Sequence, residues 1–358
     1  MSRWGVAGVL VSVLVLSGCA EPPLPSSTPA PGEPYSDVRG TDLADSASVD
    51  PADIPTLMFN EATLWPEQCQ EVASVVLEQG KNPGLGVRQL HARGITGQGV
   101  TVAIIDQNLV GHHPEYTGKI IQYHDVGTGH PLGEGSMHGP AVASLLVGEQ
   151  IGTAPGARLY YVAAPSWTAD AQYQADALDW LVDQNETLPP ADKIRVVSVS
   201  AAPSGPGTVF TRNTGAWDEA YQRAMDAGIL VLDCTAHHGL TAPCSLDLTD
   251  PENPAKCTPG WPGLAYRPMK GRIHVPTSRR TEAEEYQDGE FGYQYTGRGG
   301  SSWSVPYLAG VLALGWQVRP ELTAAELLQL IFETAYIRAD GARIINPPAF
   351  VEAVERIP

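Results

Sequence analysis

This sequence predicts an α/β fold with a mostly parallel central sheet flanked by helices, and three observations carry that expectation. Short β-branched runs at 100–105, 157–163, 194–200 and 228–232 read as strands. They are almost continuously apolar rather than alternating, as strands covered on both faces must be. Helical candidates lie between them at 139–147, 168–182 and 214–227. Strands and helices taking turns along a chain is the pattern of a parallel sheet. No internal repeat and no second folded domain stands out in the 358 residues.

Ahead of the first strand, Met1-Ser-Arg3-Trp carries one positive charge and precedes an apolar run over 5–16. The run is short for a bilayer span and has the layout of a targeting segment. It closes in Leu16-Ser-Gly-Cys19, which resembles the lipobox of bacterial lipoproteins. The resemblance implies a signal peptide over 1–18 and acyl chains on Cys19, each buried methylene adding about 0.8 kcal/mol of membrane affinity. Ala20 stands where an inner-membrane retention signal usually has Asp. The implied place is therefore the cell envelope, facing away from the cytoplasm, on the outer membrane where a cell has one.

Residues 21–36 are rich in proline and serine, and 41–55 are polar and acidic. Such a stretch reads as an extended, solvated tether, so disorder is expected over 19–56 and order from Leu57 to the end of the chain. A short helix is expected at 66–77, with Pro66 in its first turn and Gly80 beyond its end. Forty acidic against 22 basic side chains give a net charge of −18. That surface repels nucleic acid, whose binding needs Lys and Arg to neutralise phosphates.

Apart from Cys19 the chain has Cys69, Cys234, Cys244 and Cys257. In an oxidising compartment four thiols allow three pairings. Cys244 with Cys257 is favoured, because both lie in one proline-rich insertion. No metal is expected: there is no Cys-x-x-Cys pair, and His237 and His238 are adjacent rather than spaced for one helical face. No cofactor is expected either.

Chemistry is concentrated in three separated stretches. Thr101-Val-Ala-Ile-Ile-Asp106 ends a strand in a carboxylate, where open α/β sheets place ligand-binding groups. Ser136-Met-His138-Gly-Pro-Ala-Val-Ala-Ser144 sets an imidazole at a helix start, 32 positions after Asp106. Gly299-Gly-Ser-Ser302-Trp-Ser-Val-Pro306-Tyr-Leu-Ala-Gly310 sets a hydroxyl in a tight turn before another helix, whose free amides and positive dipole end suit an oxyanion. A serine hydroxyl becomes nucleophilic when an imidazole takes its proton, and the imidazole needs a carboxylate to hold its tautomer.

These motifs in the order Asp, His, Ser resemble those of the subtilases, the subtilisin-like serine proteases. The family's strand motif ends Asp-Ser/Thr-Gly, its helix begins His-Gly-Thr-x-Val-Ala, and its serine motif is Gly-Thr-Ser-Met-Ala-x-Pro-x-Val-Ala-Gly. His113-Pro-Glu-Tyr116 and the stretch from Pro320 to Ala335 are similar to further family segments, so the resemblance covers about residues 84–350. It implies a three-layer subtilisin-like fold, with Asp106, His138 and Ser302 as the triad.

Departures are visible too. Gln107-Asn108 replaces Ser/Thr-Gly, and His237 stands where the family's oxyanion asparagine would be, so the resemblance makes an imidazole the oxyanion donor. Val197-Ser198-Val-Ser200-Ala201-Ala202 is similar to the family's substrate strand, and Ser198, Ser200, Ala201 and Ala202 are the implied substrate-binding residues. No Asp-rich calcium signature is present. The function implied is a lipid-anchored serine endopeptidase acting on polypeptides, expected as a monomer. The rival is a subtilase-fold protein that has lost catalysis and binds extended peptides at the cell surface. A lipase is disfavoured, because no Gly-x-Ser-x-Gly elbow surrounds a serine.

Overall fold

The structure, a computed structural model, describes residues 29–109, 111–129, 136–264, 266, 268–287 and 290–358. The expected signal peptide over 1–18 and the expected acylation site Cys19 lie outside the described residues.

The chain is ordered well before Leu57, which corrects the expected tether. Val38, Leu43, Val49 and Ile54 are all buried, and they join Leu57, Phe59, Trp65, Cys69 and Tyr295 in one apolar cluster. Those apolar residues recur every five or six positions, and the acids between them close turns instead of solvating a coil. Asp37 accepts from the Arg39 amide, Asp42 from Ala44, and Asp50 from Ala52 at the start of a 3-10 turn over Pro51–Thr56. Strand β1 (Met58–Asn60) and helix α1 (Glu67–Gly80) follow. Pro66 caps α1, but the helix runs on through Gly80, where an added Cβ would lie 2.4 Å from Thr281 Oγ1.

Short α2 (Val87–Ala92) leads into the central layer. Its strands are β2 (Thr101–Asp106), β3 (Ile120–Asp125), β4 (Arg158–Ala163), β5 (Ile194–Val199) and β6 (Leu230–Leu232), in the order β3-β4-β2-β5-β6 and all parallel. The helices are α3 (His138–Val147), α4 (Gln172–Thr187) and α5 (Thr214–Asp226). β2 is buried at every position: Val102 and Ile104 belong to one core, while Ala103 and Ile105 belong to another beneath α4 and α5. That two-sided burial is why the run is apolar throughout. Strand β3, half-exposed at the sheet edge, lacks the continuous apolar pattern and escaped sequence reading.

The second half adds β7 (Thr241–Ser245), β8 (Thr258–Pro259), β9 (Ile273–Ser278), β10 (Arg280–Gln287) and β11 (Glu290–Thr296). β11 pairs antiparallel with both β10 and β1 in a three-stranded sheet, so the N-terminal segment is tied to the C-terminal half. Cys244 and Cys257 form a disulfide, as the insertion suggested, while Cys69 and Cys234 are buried. Helix α6 (Ser304–Val318) is buried along nearly its whole length and packs beside α3. After α7 (Ala324–Glu333), β12 (Tyr336–Ile337) and β13 (Arg343–Ile344) extend the mixed sheet of β7, β8 and β9. Helix α8 (Pro347–Glu355) closes the described chain.

Candidate active site

Asp106 is the last residue of β2, at the carboxyl edge of the parallel sheet. Its Oδ1 accepts from the Gln107 amide at 2.8 Å and lies 2.6 Å from Nδ1 of His138. His138 opens α3, and the glycine behind it brings the two together. A Cβ on Gly139 would sit 2.3 Å from the Asn108 carbonyl oxygen and 2.7 Å from the Tyr161 hydroxyl, so only glycine lets the helix approach the strand end. Ser136 completes the junction, accepting from the Gly139 amide at 3.0 Å and donating to Asn108 O at 3.2 Å. Gln107, where the family motif has Ser or Thr, donates from its side chain to Ser166 Oγ at 2.9 Å and leaves Asp106 its amide contact.

The imidazole is 17% exposed and the Asp106 side chain 5%. Burial pulls the His138 pKa down, but the charge of Asp106 and its hydrogen bond outweigh this, and the pKa lies above the ordinary value. With Nδ1–H held by the carboxylate, Nε2 keeps the lone pair a general base needs.

Ser302 lies in the 3-10 turn Ser301–Trp303 immediately before α6. The turn is pinned by Gly299 at φ +68°, where a Cβ would fall 1.8 Å from the Thr277 carbonyl oxygen on β9. Ser302 and His138 line one cleft of about 210 Å³, and the Trp303 ring lies 5.3 Å from the imidazole. In this conformation Ser302 Oγ donates to Ser200 O at 3.4 Å, a long contact, and no hydrogen bond joins it to His138. The β2 end, the α3 start and the α6 start thus bring the three predicted side chains to one place.

The other predicted site residues are placed differently. Ser198 is buried within β5 with its hydroxyl shut off from solvent, so its side chain cannot meet a peptide. Ala202 is also buried, and the Ala201 carbonyl is taken by the Cys234 amide at 2.9 Å. Ser200 touches the site as support, its hydroxyl donating to Ser302 O at 2.8 Å. His237 is not among the residues lining the cleft. Its Nε2 is 3.6 Å from Asp218 Oδ1 on α5, and its ring lies against Gly205. The alternation of a strand and the register of a motif identify positions; the direction of a turn residue depends on neighbours distant in sequence.

Sequence reading also missed one side of the cleft. Tyr35, Asp37 and Thr56, from the segment expected to be tether, line it together with Met58, Arg298 and Trp261. The guanidinium of Arg298 stands 4.5 Å over the Tyr35 ring. The recurring buried apolar residues at 38, 43, 49 and 54 were the available signal that this segment folds.

Comparison with known proteins agrees with this architecture. A model of the subtilase family matches residues 97–257, a stretch that includes Asp106 and His138 and ends before Ser302. The chain is 25% identical over 309 residues to the subtilisin-like protease PopC of Myxococcus xanthus, covering 76% of this chain and 59% of PopC. It is 24% identical over 255 residues to subtilisin NAT of Bacillus subtilis subsp. natto, covering 69% of this chain and 63% of that one. The chain therefore spans about three fifths of the length of these curated relatives. Among solved structures, fervidolysin from Fervidobacterium pennivorans, a keratinolytic enzyme related to subtilisin, superposes with a TM-score of 0.56. It shows 18% identity, over 78% of this chain and 47% of fervidolysin.

Proposed function

The chain carries a domain of the subtilase family, and from that premise we propose that it is a serine endopeptidase. Ser302 Oγ attacks the carbonyl carbon of the scissile peptide bond while Nε2 of His138 takes its proton. The same proton then goes to the leaving amine as the carbon–nitrogen bond breaks, and water repeats the sequence on the acyl-enzyme. Asp106 holds the tautomer and stabilises the imidazolium. Amides at the turn before α6 face the developing oxyanion, favoured by the helix dipole.

The observation that carries this reading is the 2.6 Å contact between Asp106 and His138 beside a serine at a buried helix start in the same cleft. An activated imidazole paired in this way has little purpose in a binding module. The substrate is an extended polypeptide in that cleft. We further propose that the protein is exported and held by acyl chains on Cys19, facing out of the cytoplasm, and that it acts as a monomer.

A fluorophosphonate probe tests the catalytic reading. The intact chain is expected to be labelled, and Ser302→Ala is not. A folded wild-type protein that takes no label would instead identify a catalytically silent, peptide-binding member of the family.

A further inference from the structure

Sequence spacing argued against a metal at His237 and His238, because neighbours cannot share a helical face. The fold removes that objection: the pair lies in the turn after β6, not on a helix, and α5 brings Asp218 up beside it. One nitrogen from each imidazole and one Asp218 oxygen lie within 4.8 Å of one another. We propose that Asp218, His237 and His238 form a binding site for a borderline divalent cation of the Zn²⁺ class, one that the catalytic reading neither needs nor implies.

The chemistry of the donors fits such an ion. Two imidazoles and a carboxylate are a known zinc ligand set, with water filling the fourth position. Ligands about 2.0–2.2 Å from a tetrahedral zinc are roughly 3.3–3.5 Å apart. His237 Nε2 and Asp218 Oδ1 already stand 3.6 Å apart. Both side chains are about half exposed, at 45% and 51%, so small rotations can bring the third ligand in without disturbing the core. Calcium and magnesium, which prefer all-oxygen sites, do not suit two imidazoles.

A second, independent feature lies behind His238. Its Nδ1 is 3.0 Å from Oδ1 of Asp233, whose side chain is completely buried. Asp233 is itself fixed: Oδ2 accepts from Trp217 Nε1 at 3.0 Å, and Oδ1 accepts from the Thr235 amide and hydroxyl at 3.0 and 2.8 Å. The Thr235 hydroxyl also meets His238 Nδ1 at 2.8 Å, and the Tyr221 ring stacks on the imidazole at 4.0 Å. With Nδ1–H committed inward, Nε2 of His238 is the nitrogen left for a cation. A buried carboxylate behind an oriented imidazole is the outer-shell arrangement of metal-ligating histidines. On the other side, Ser204 Oγ donates to Asp218 Oδ1 at 2.6 Å and steadies the carboxylate. A plain surface ion pair between His237 and Asp218 would account for their contact but not for the Asp233–His238 pair.

The test is titration of the intact, chelator-stripped chain with Zn²⁺, followed by calorimetry, with thermal unfolding in parallel. One tight site per chain is expected, and bound zinc should raise the unfolding temperature. His237→Ala and His238→Ala should each weaken that site about tenfold or more and remove the thermal shift, whereas His112→Ala, at a histidine outside the cluster, should change neither. Asp218→Asn, a conservative exposed change, provides a variant whose folding is not in question and should also weaken the site. Zinc affinity unchanged in all three cluster variants, or no binding by wild type, overturns the proposal. None of these readouts depends on peptidase activity.

Discussion

Replacing Ile54 by Ala separates an ordered N-terminal segment from a tether more sharply than any change at the catalytic residues. Ile54 is fully buried in the 3-10 turn over Pro51–Thr56, within the cluster that also holds Val38, Leu57, Phe59 and Tyr295. Truncating a buried isoleucine costs the transfer of three carbons plus the cavity left behind, about 2–5 kcal/mol. In a solvated tether the same change would stay within about 0.5 kcal/mol. With a urea dependence of roughly 3 kcal/mol per molar, a loss of about 3 kcal/mol lowers the midpoint by about 1 M. The assay is urea unfolding followed by tryptophan fluorescence, which is suited to the task because Trp65 belongs to the same cluster. Asp45→Ala, at an exposed position in the same segment, is the control. Equal midpoints for the two variants would mean that the segment is not part of the folded unit. The wall that Tyr35, Asp37, Thr56 and Met58 lend to the cleft would then be lost from the account as well.

Two further outcomes follow from the geometry. The His138 pKa is raised by Asp106, and a general base works only when neutral, so the acid limb of fluorophosphonate labelling should lie above the ordinary imidazole value of about 6.5. Asp106→Asn should move that limb to lower pH and slow labelling by up to about 10⁴-fold; a limb that stays in place would show that another group sets it. Replacing Cys244 and Cys257 together by Ser opens a loop with a sequence separation of 13 and should cost about 3 kcal/mol of stability in thermal unfolding. Wild type treated with reductant should reproduce that loss, and a double variant as stable as the oxidised wild type would remove the disulfide from the account.

Much of the site was legible because its residues sit at element boundaries that local chemistry defines. Asp106 ends a strand whose two-sided burial makes it apolar throughout, so its register could be read without a partner. Gly139 and Gly299 are required by close backbone approaches, and both flank a predicted site residue in the sequence. Ser198 and Ala202 have buried side chains; a strand motif identifies positions but not how much of each side chain the surrounding fold covers. β3 carries polar residues at its half-exposed sheet edge, and β10 and β11 bury polar side chains such as Arg280, Thr281, Glu282, Glu284 and Gln294, so none of these strands shows a clean apolar pattern.

The sequence by itself determined the layered α/β architecture, the favoured Cys244–Cys257 pairing and the three positions from which a proton relay could be built. Each of these rests on periodicity or on motifs only a few residues long. Tertiary structure alone decided that the acidic N-terminal stretch folds against β11, that His237 turns to Asp218 and away from the cleft, and that Asp233 stands behind His238. The reason is physical: a turn side chain takes its direction from whichever surface folding brings beside it. Here that surface is α5 for the histidines and the β10–β11 sheet for the N-terminal segment, and neither proximity is written in the local spacing of residues.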